Sequence, residues 1–362
     1  MAMNIVPYYI SVLSEDVKSL RQKLLDVRLP ETDDENNLER GPSMRDIRRI
    51  IQHWHTALRS SSPDAIPLLF FHGWPGSFYE SDPPFHVVAP SLPNFGFSSR
   101  IDKPGFGMKQ YAETCHKLMQ GLGYGQYAAQ GGDWGSSSGR ILGALYPQSL
   151  RALHLNLIVA TPPPLTAPIS FVKFLTTHLL NRYTSQESLG LQRAQAFQGD
   201  GNGYFEIQKQ RPRTIGVALT DSPVGLLTWI YDKLVTWTDE YPWTDQEVCE
   251  WISIYWFSRA GPAASIVIYH ETFKGDWVSS AATYTQGTKV GFSYFPKEMF
   301  RTPSLWNTQI GDVVFEKEHE RGGHFAALEQ PKALVDDPKV MFKPGGKAIG
   351  AFEKKKVGIT KH

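Results

Sequence analysis

A single carboxylate set among small residues is the strongest chemical signal in this chain. Gly131 and Gly132 precede Asp133, and Gly135 and Ser136 follow it after one tryptophan. Glycines permit a tight turn from a strand into a helix, which thrusts the central side chain outward. The N-terminus of the following helix also favours a negative charge. The pattern predicts a nucleophile elbow with Asp133 as the nucleophile, although an exposed aspartate on a glycine-rich turn would have the same local sequence.

A second glycine-rich segment, 72–76 with the sequence HGWPG, follows the apolar run 67–71. In hydrolases built around a nucleophile elbow, a loop at this place donates one backbone N–H of the oxyanion hole. The residue after the nucleophile donates another. The predicted donors are therefore the backbone N–H groups of Trp74 and Trp134. We expect His72 to shape the loop rather than to act as a base.

A histidine on a third glycine-rich loop lies near the C-terminus. Gly322 and Gly323 precede His324, and the loop follows a predicted strand at 312–315. The chain order nucleophile, acid, histidine is the order found in elbow hydrolases. Taken alone, this histidine could be a hydrogen-bonded surface residue. Together with the other two motifs it is predicted to be the catalytic base.

The elements that must position these groups alternate between strands and helices from residue 67 onward. Short apolar runs predict buried parallel strands, and they lie at 67–71, 85–89, 127–130, 151–157, 289–295 and 312–315. Apolar residues at helical spacing predict helices, at 108–122, 137–146 and 325–335. This alternation predicts an α/β fold with a sheet of mainly parallel strands.

Two helical regions accompany this sheet. Helical spacing at 11–25 and from Ser43 onward predicts a small helical N-terminal region. The chain after residue 161 is aromatic and mainly helical in pattern, which predicts a helical cap inserted into the sheet; its predicted helices include 169–183, 222–236 and 245–257. We therefore predict three units, which are an N-terminal region at 1–62, a core at 63–160 and 285–362, and a cap at 161–284.

The composition excludes several classes of protein. The chain of 362 residues has 37 Lys and Arg against 36 Asp and Glu, and its net charge of +1 would not attract nucleic acid. Its two cysteines are too few for a disulfide framework or a thiolate metal site. No apolar stretch is long enough to span a bilayer, and the first residues do not resemble a signal peptide. We expect a cytoplasmic protein without an integral membrane anchor.

The three motifs, in this order, resemble those of epoxide hydrolases of the α/β-hydrolase superfamily, and in particular the microsomal-type branch. The similarity extends over nearly the whole chain, including the helical N-terminal region, and covers the segments 89–98 and 221–226. The resemblance implies an α/β-hydrolase fold and hydrolysis of small apolar epoxides to vicinal diols through a covalent hydroxyalkyl ester on the aspartate. Water is then the second substrate. The resemblance implies no metal, no cofactor and no nucleic-acid partner, and it allows a homodimer.

The resemblance also implies which further residues act. The acid partner of the histidine maps onto Glu298, with Asp312 as the rival position. Two tyrosines that protonate the epoxide oxygen map onto Tyr204 and Tyr269, with Tyr255 as the rival for the second. A phenol suits this role because it is neutral at pH 7 and can donate a proton to a developing alkoxide.

This chain departs from the epoxide hydrolases in two places. Only 17 residues separate Trp54 from His72, where relatives carry early strands, and the stretch 77–84 is too short for the helix that relatives have there. Such gaps would expose apolar surface and lower stability or solubility. One alternative is therefore a catalytically impaired protein that only binds ligands. The other is a haloalkane dehalogenase, with Asp133 as nucleophile and the Trp134 indole N–H on the halide.

Overall fold

The structure is a computed structural model. It describes residues 12–30, 41–54, 68–76, 87–275, 284–342 and 346–348. The two predicted gaps fall mostly on other residues: 55–67 of the first stretch, and all of 77–84, lie outside the described ranges. Among the helices in the described ranges, none is long and apolar enough to cross a membrane.

A single sheet of six strands forms the centre of the described structure. The strands are β1 (Leu68–Phe71), β2 (Val87–Val88), β3 (Tyr127–Gly131), β4 (Leu150–Leu155), β5 (Thr285–Tyr294) and β6 (Gly311–Glu318). Their order in the sheet is β2–β1–β3–β4–β5–β6, and each neighbouring pair is parallel. Every residue of β3 is buried, as expected for a parallel strand covered on both faces. The predicted α/β fold class is confirmed.

Helices precede the sheet, cover it, and fill the chain between β4 and β5. The first four are α1 (Ser14–Leu25), α2 (Met44–Trp54), α3 (Met108–Gly121) and α4 (Asp133–Leu145). Between β4 and β5 lie α5 (Pro168–Leu179), α6 (Ser185–Ala196), α7 (Gly203–Gln210), α8 (Pro212–Asp221), α9 (Pro223–Thr236), α10 (Asp245–Trp256) and α11 (Val267–Lys274). The last three are α12 (Ser304–Asn307), α13 (Ala326–Glu329) and α14 (Pro331–Phe342).

The N-terminal helices pack on the helices between β4 and β5. Ile47, Ile50 and Ile51 of α2 are buried, and α2 lies against α9 and α10. The predicted start of α2 is confirmed, because the Ser43 hydroxyl accepts the Asp46 backbone N–H at 3.4 Å. The helical N-terminal region is therefore part of the same hydrophobic core.

Several predicted elements differ in extent from the observed ones. The helix expected at 137–146 is α4, which begins four residues earlier, at Asp133. The glycine and serines near its start show no apolar periodicity, so the sequence pattern does not reveal the first turn. The closing helix expected at 325–335 is split into α13 and α14, since Pro331 suits a first helical turn but has no N–H to extend α13. Of the strand expected at 85–89, β2 is present, and residues 85 and 86 lie outside the described ranges.

Candidate active site

The predicted functional groups meet at one edge of the sheet. Trp74 follows β1, Asp133 follows β3, Glu298 follows β5 and His324 follows β6. The carboxyl ends of parallel strands all lie at the same edge, where open α/β sheets bind their ligands. Four groups that are far apart in sequence are thereby brought to one place.

The turn that carries Asp133 is as tight as the glycine pattern predicted. Asp133 has a φ of 47°, in the left-handed region that few residues other than glycine adopt. A Cβ atom on Gly135 would lie 2.3 Å from the carbonyl oxygen of Phe71, and one on Gly73 would lie 2.0 Å from Asp133 Oδ1. Both positions therefore require glycine. The strained backbone holds the carboxylate against the loop after β1, and such strain is typical of functional sites.

A backbone N–H group binds the Asp133 carboxylate. The Trp74 N–H donates to Asp133 Oδ1 at 2.7 Å. Trp134 is the second residue of α4. The first backbone hydrogen bond at this end of the helix runs from the Ser136 N–H to the Gly132 carbonyl at 3.0 Å, so the Trp134 N–H is not used in the helical hydrogen bonds. The nearby Ser136 hydroxyl is buried and donates to the Leu157 carbonyl at 2.6 Å.

His324 connects the two carboxylates. Its Nδ1 lies 2.8 Å from Glu298 Oε1, and its Nε2 lies 3.3 Å from Asp133 Oδ2. The Met299 N–H also donates to Glu298 Oε1, at 2.7 Å, and the His324 N–H donates to the Trp237 carbonyl at 2.8 Å. The side chains of His324 and Glu298 are each 3% exposed and that of Asp133 is 18% exposed. The imidazole is thus held in one orientation, while the carboxylate of Asp133 still reaches the cavity.

The charge on Asp133 affects the basicity of His324. Burial lowers the pKa of His324, but the carboxylates of Glu298 and Asp133 outweigh burial and bring the pKa well above its usual value. Conversion of Asp133 into a neutral ester would remove one of these two carboxylates. The pKa of His324 would then fall, and the imidazole would lose its proton more readily.

The rival acid, Asp312, lies at the amino end of its strand, whereas the other candidate residues follow the carboxyl ends of their strands. It is the second residue of β6, its side chain is 51% exposed, and it forms an ion pair with Lys289. His324 lies beyond the opposite end of that strand. The contact of His324 with Glu298 supports the preference for Glu298.

Two tyrosines face Asp133 from the helices between β4 and β5. Tyr204 on α7 and Tyr269 on α11 have ring centroids 6.0 Å apart and line the same cavity as Asp133. The Tyr204 ring stacks on Trp74 with ring centroids 5.4 Å apart, and the Tyr269 and Trp134 rings form a T-shaped pair with centroids 4.9 Å apart. Burial raises the pKa of both phenols, and the Asp133 charge raises them further. Both side chains therefore keep their protons near neutral pH.

The hydroxyl of the rival tyrosine forms a hydrogen bond with the protein backbone. Tyr255 is buried on α10, and its hydroxyl donates to the Gly76 carbonyl at 2.7 Å. The sequence-based preference for Tyr269 over Tyr255 is thus supported by position.

His72 has a local role in the loop after β1, because its Nε2 accepts the Leu92 N–H at 3.3 Å and burial lowers its pKa to about 4.

A cavity of about 440 Å³ opens between the elbow and the helices that carry the tyrosines. Its walls are mainly apolar and aromatic, and several wall residues were not predicted from the sequence; these are Leu157, Phe197, Phe205, Phe273, Met299 and Phe300. The many aromatic residues of the chain were the one available signal for such a pocket. A cavity of this volume and character suits a small apolar molecule.

A second, much smaller cavity of about 20 Å³ touches both Asp133 and His324. Gln130 and Asn156 line it, and the Gln130 Nε2 group donates to Asn156 Oδ1 at 2.7 Å. Gln130 Oε1 is buried and has no hydrogen-bond partner among the described residues. The volume and the polar lining suit one water molecule.

The fold is that of the α/β-hydrolases, with an aspartate on the tight turn between β3 and α4. Residues 66–187 match the family described as alpha/beta hydrolase fold. The chain is 31% identical to the juvenile hormone epoxide hydrolase of Bombyx mori, with 81% of this chain and 68% of that protein aligned. It is 26% identical to epoxide hydrolase 1 of Sus scrofa over 92% of this chain and 87% of that protein. The structure of Aspergillus niger epoxide hydrolase matches with a TM-score of 0.78 and 29% identity, covering 93% of this chain and 96% of that one. The chain belongs to the epoxide hydrolase family.

The alignments also bear on the gaps predicted from the sequence. The match with the Sus scrofa protein runs over 402 positions, whereas this chain has 362 residues. That protein therefore has internal residues without a counterpart here. The lower stability expected from such gaps stays a prediction.

Proposed function

We propose that this protein hydrolyses epoxides to vicinal diols through a covalent ester on Asp133. The observation that carries the proposal is the position of Asp133, which lies between two buried tyrosines on one side and the His324–Glu298 pair on the other. A carboxylate nucleophile, proton donors for the epoxide oxygen and a base for water are the three groups that this reaction requires.

In the first half of the reaction, the Asp133 carboxylate attacks an epoxide carbon. A new C–O bond forms as the bond between that carbon and the epoxide oxygen breaks. The oxygen takes a proton from Tyr204 or Tyr269, which leaves a phenolate and a hydroxyalkyl ester. The raised pKa of each phenol makes the proton available only as negative charge develops on the oxygen.

In the second half, His324 takes a proton from water as the water oxygen attacks the ester carbonyl. Asp133 Oδ1 already accepts the Trp74 N–H, so this donor and the Trp134 N–H would stabilise the oxyanion. The C–O bond between the ester carbonyl carbon and the alkoxide oxygen then breaks. The alkoxide takes from His324 the proton that came from water, which completes the diol. The new carboxylic acid of Asp133 ionises, and its proton converts the phenolate back to a phenol. We assign the attacking water to the small cavity beside Gln130.

The proposal can be tested with styrene oxide as the substrate. We expect the purified protein to release phenylethane-1,2-diol and to release no chloride from 1-chlorobutane, the matched test for a dehalogenase. The Asp133→Asn variant is the control and should produce no diol above the uncatalysed rate. Binding of styrene oxide without diol formation would instead indicate the catalytically impaired alternative, and chloride release would indicate the dehalogenase.

Replacement of Glu298 by Gln should slow the second half of the reaction and shift its pH dependence. The neutral amide no longer stabilises the imidazolium, so we expect hydrolysis of the ester to slow by roughly 10²–10⁴-fold. Loss of the negative charge also lowers the pKa of His324. Because the neutral imidazole is the base, the acid limb of the hydrolysis rate should move to lower pH. Single-turnover kinetics across the pH range measure both effects, and an unmoved acid limb would contradict the role of Glu298.

We further propose that residues 161–284 form a cap over a core made of 63–160 and 285–362, with 1–62 as an N-terminal region. The helices α5 to α11 between β4 and β5 support this division, since they carry both tyrosines and follow the last strand before the cap. The homodimer and the cytoplasmic location expected from the sequence stay predictions.

A further inference from the structure

A buried cation lines the substrate cavity. Arg140 is 6% exposed and forms part of the cavity wall. One of its guanidinium nitrogens, Nη1, donates to the Val159 carbonyl at 2.7 Å, while its Nε is buried without a hydrogen-bond partner among the described residues. Burial lowers the pKa of Arg140 only to about 10, so the guanidinium remains charged near neutral pH.

The described residues supply no negative charge to balance this cation. Two carboxylates of the described chain line the cavity, and both are paired elsewhere: Asp133 with His324, and Glu206 with Lys209 at 2.8 Å. No ion pair of the described residues involves Arg140. A buried charge without a counter-ion is costly, and the cost falls when a ligand supplies the opposite charge.

The position of Arg140 defines where that charge would lie. Arg140 is seven residues after Asp133 on α4, almost two full turns, so both side chains leave the same face of the helix. Their Cα atoms are separated by about 10 Å along the helix axis. An anionic group next to Asp133 would be repelled, whereas one at the far end of an apolar chain would reach the guanidinium, which binds carboxylates through charge-assisted hydrogen bonds.

We infer that the preferred substrates are epoxides that carry a carboxylate at the far end of an apolar chain, and that Arg140 binds this carboxylate. The inference rests on the proposed epoxide hydrolysis and names its substrate class. Arg140 would act on specificity alone, since it lies away from the reacting atoms.

Paired substrates test the inference. Terminal epoxides of linear carboxylic acids with six, eight and ten carbons are compared with their methyl esters, and kcat/KM is measured for each. For at least one chain length we expect the acid to exceed its ester by about tenfold, as one charge-assisted hydrogen bond would provide. The Arg140→Met variant should lose this preference, and Arg140→Lys should restore part of it. The ratio of acid to ester is unaffected by the fraction of protein that folds.

A matched variant and a binding measurement complete the experiment. Arg151 also donates to a backbone carbonyl, that of Pro147 at 3.3 Å, but it does not line this cavity, so Arg151→Met should keep the wild-type ratio. Calorimetry with octanoate, which cannot react, should show binding at least tenfold tighter to the wild type than to Arg140→Met.

The inference is overturned if the ratio of kcat/KM for acid to that for ester is one or less at all three chain lengths and octanoate binds equally to both proteins. If no epoxide is hydrolysed, the proposed function fails, and octanoate binding still decides the role of Arg140.

Discussion

Replacement of His324 by Gln is expected to trap the protein as a covalent ester on Asp133. The nucleophile, its Trp74 donor and both tyrosines remain in the variant, so the epoxide can still alkylate the carboxylate. The proposed base for water is lost, and hydrolysis should slow by about 10²–10⁴-fold. After addition of an epoxide, the intact mass should rise by the mass of one substrate molecule, on the peptide that contains Asp133.

Two controls and an isotope experiment decide whether Asp133 is the nucleophile. Asp133→Asn should form no adduct, and His178→Gln, which changes an exposed histidine on α5, should turn over without accumulating one. One turnover of the wild type in oxygen-18 water should give largely unlabelled diol and a labelled enzyme, because water attacks the ester carbonyl and the carboxylate oxygen enters the diol. A labelled diol in the first turnover, with no adduct in the His324 variant, would mean that water attacks the epoxide directly.

The positions of the strands and of the loops that carry the site could be predicted from sequence because each rests on a local cause. Apolar runs indicated buried strands, and the glycines around Asp133 and before His324 indicated tight turns at strand ends. In a parallel sheet these ends meet at one edge, so their proximity followed from the topology. The start of α4 was predicted four residues late, since Gly and Ser in its first turn carry no periodic signal.

The cavity wall could not be predicted in the same way. Phe197, Phe205, Phe273 and Phe300 come from four separate segments of the chain. Periodicity shows that a helix has an apolar face, but it does not show whether that face meets the core or a ligand. The tyrosines raised the same difficulty, because the chain contains 15 of them. Tyr204 and Tyr269 follow from the resemblance to a family, and in the structure both line the cavity that Asp133 reaches.

Removal of the hydroxyl from either cavity tyrosine is expected to slow ester formation by about 10²–10⁴-fold, as for a positioned acid. Tyr204→Phe and Tyr269→Phe keep the aromatic ring and its contacts with Trp74 and Trp134, so the loss is confined to one O–H donor. The double variant leaves the epoxide oxygen without a phenol, and ester formation should become undetectable. Hydrolysis of a preformed ester, which we assign to His324, should change far less.

These effects are best measured in the His324→Gln background, where only ester formation contributes to the signal. Rapid-quench sampling followed by intact mass gives the alkylation rate for each tyrosine variant. Tyr255→Phe is the matched control, because it also removes a buried hydroxyl, but one that bonds to the Gly76 carbonyl. It should alkylate at the rate of the parent variant. If Tyr255→Phe is slow while Tyr269→Phe is not, the second proton donor is Tyr255, and the position of Tyr269 in the cavity reflects packing against Trp134 alone.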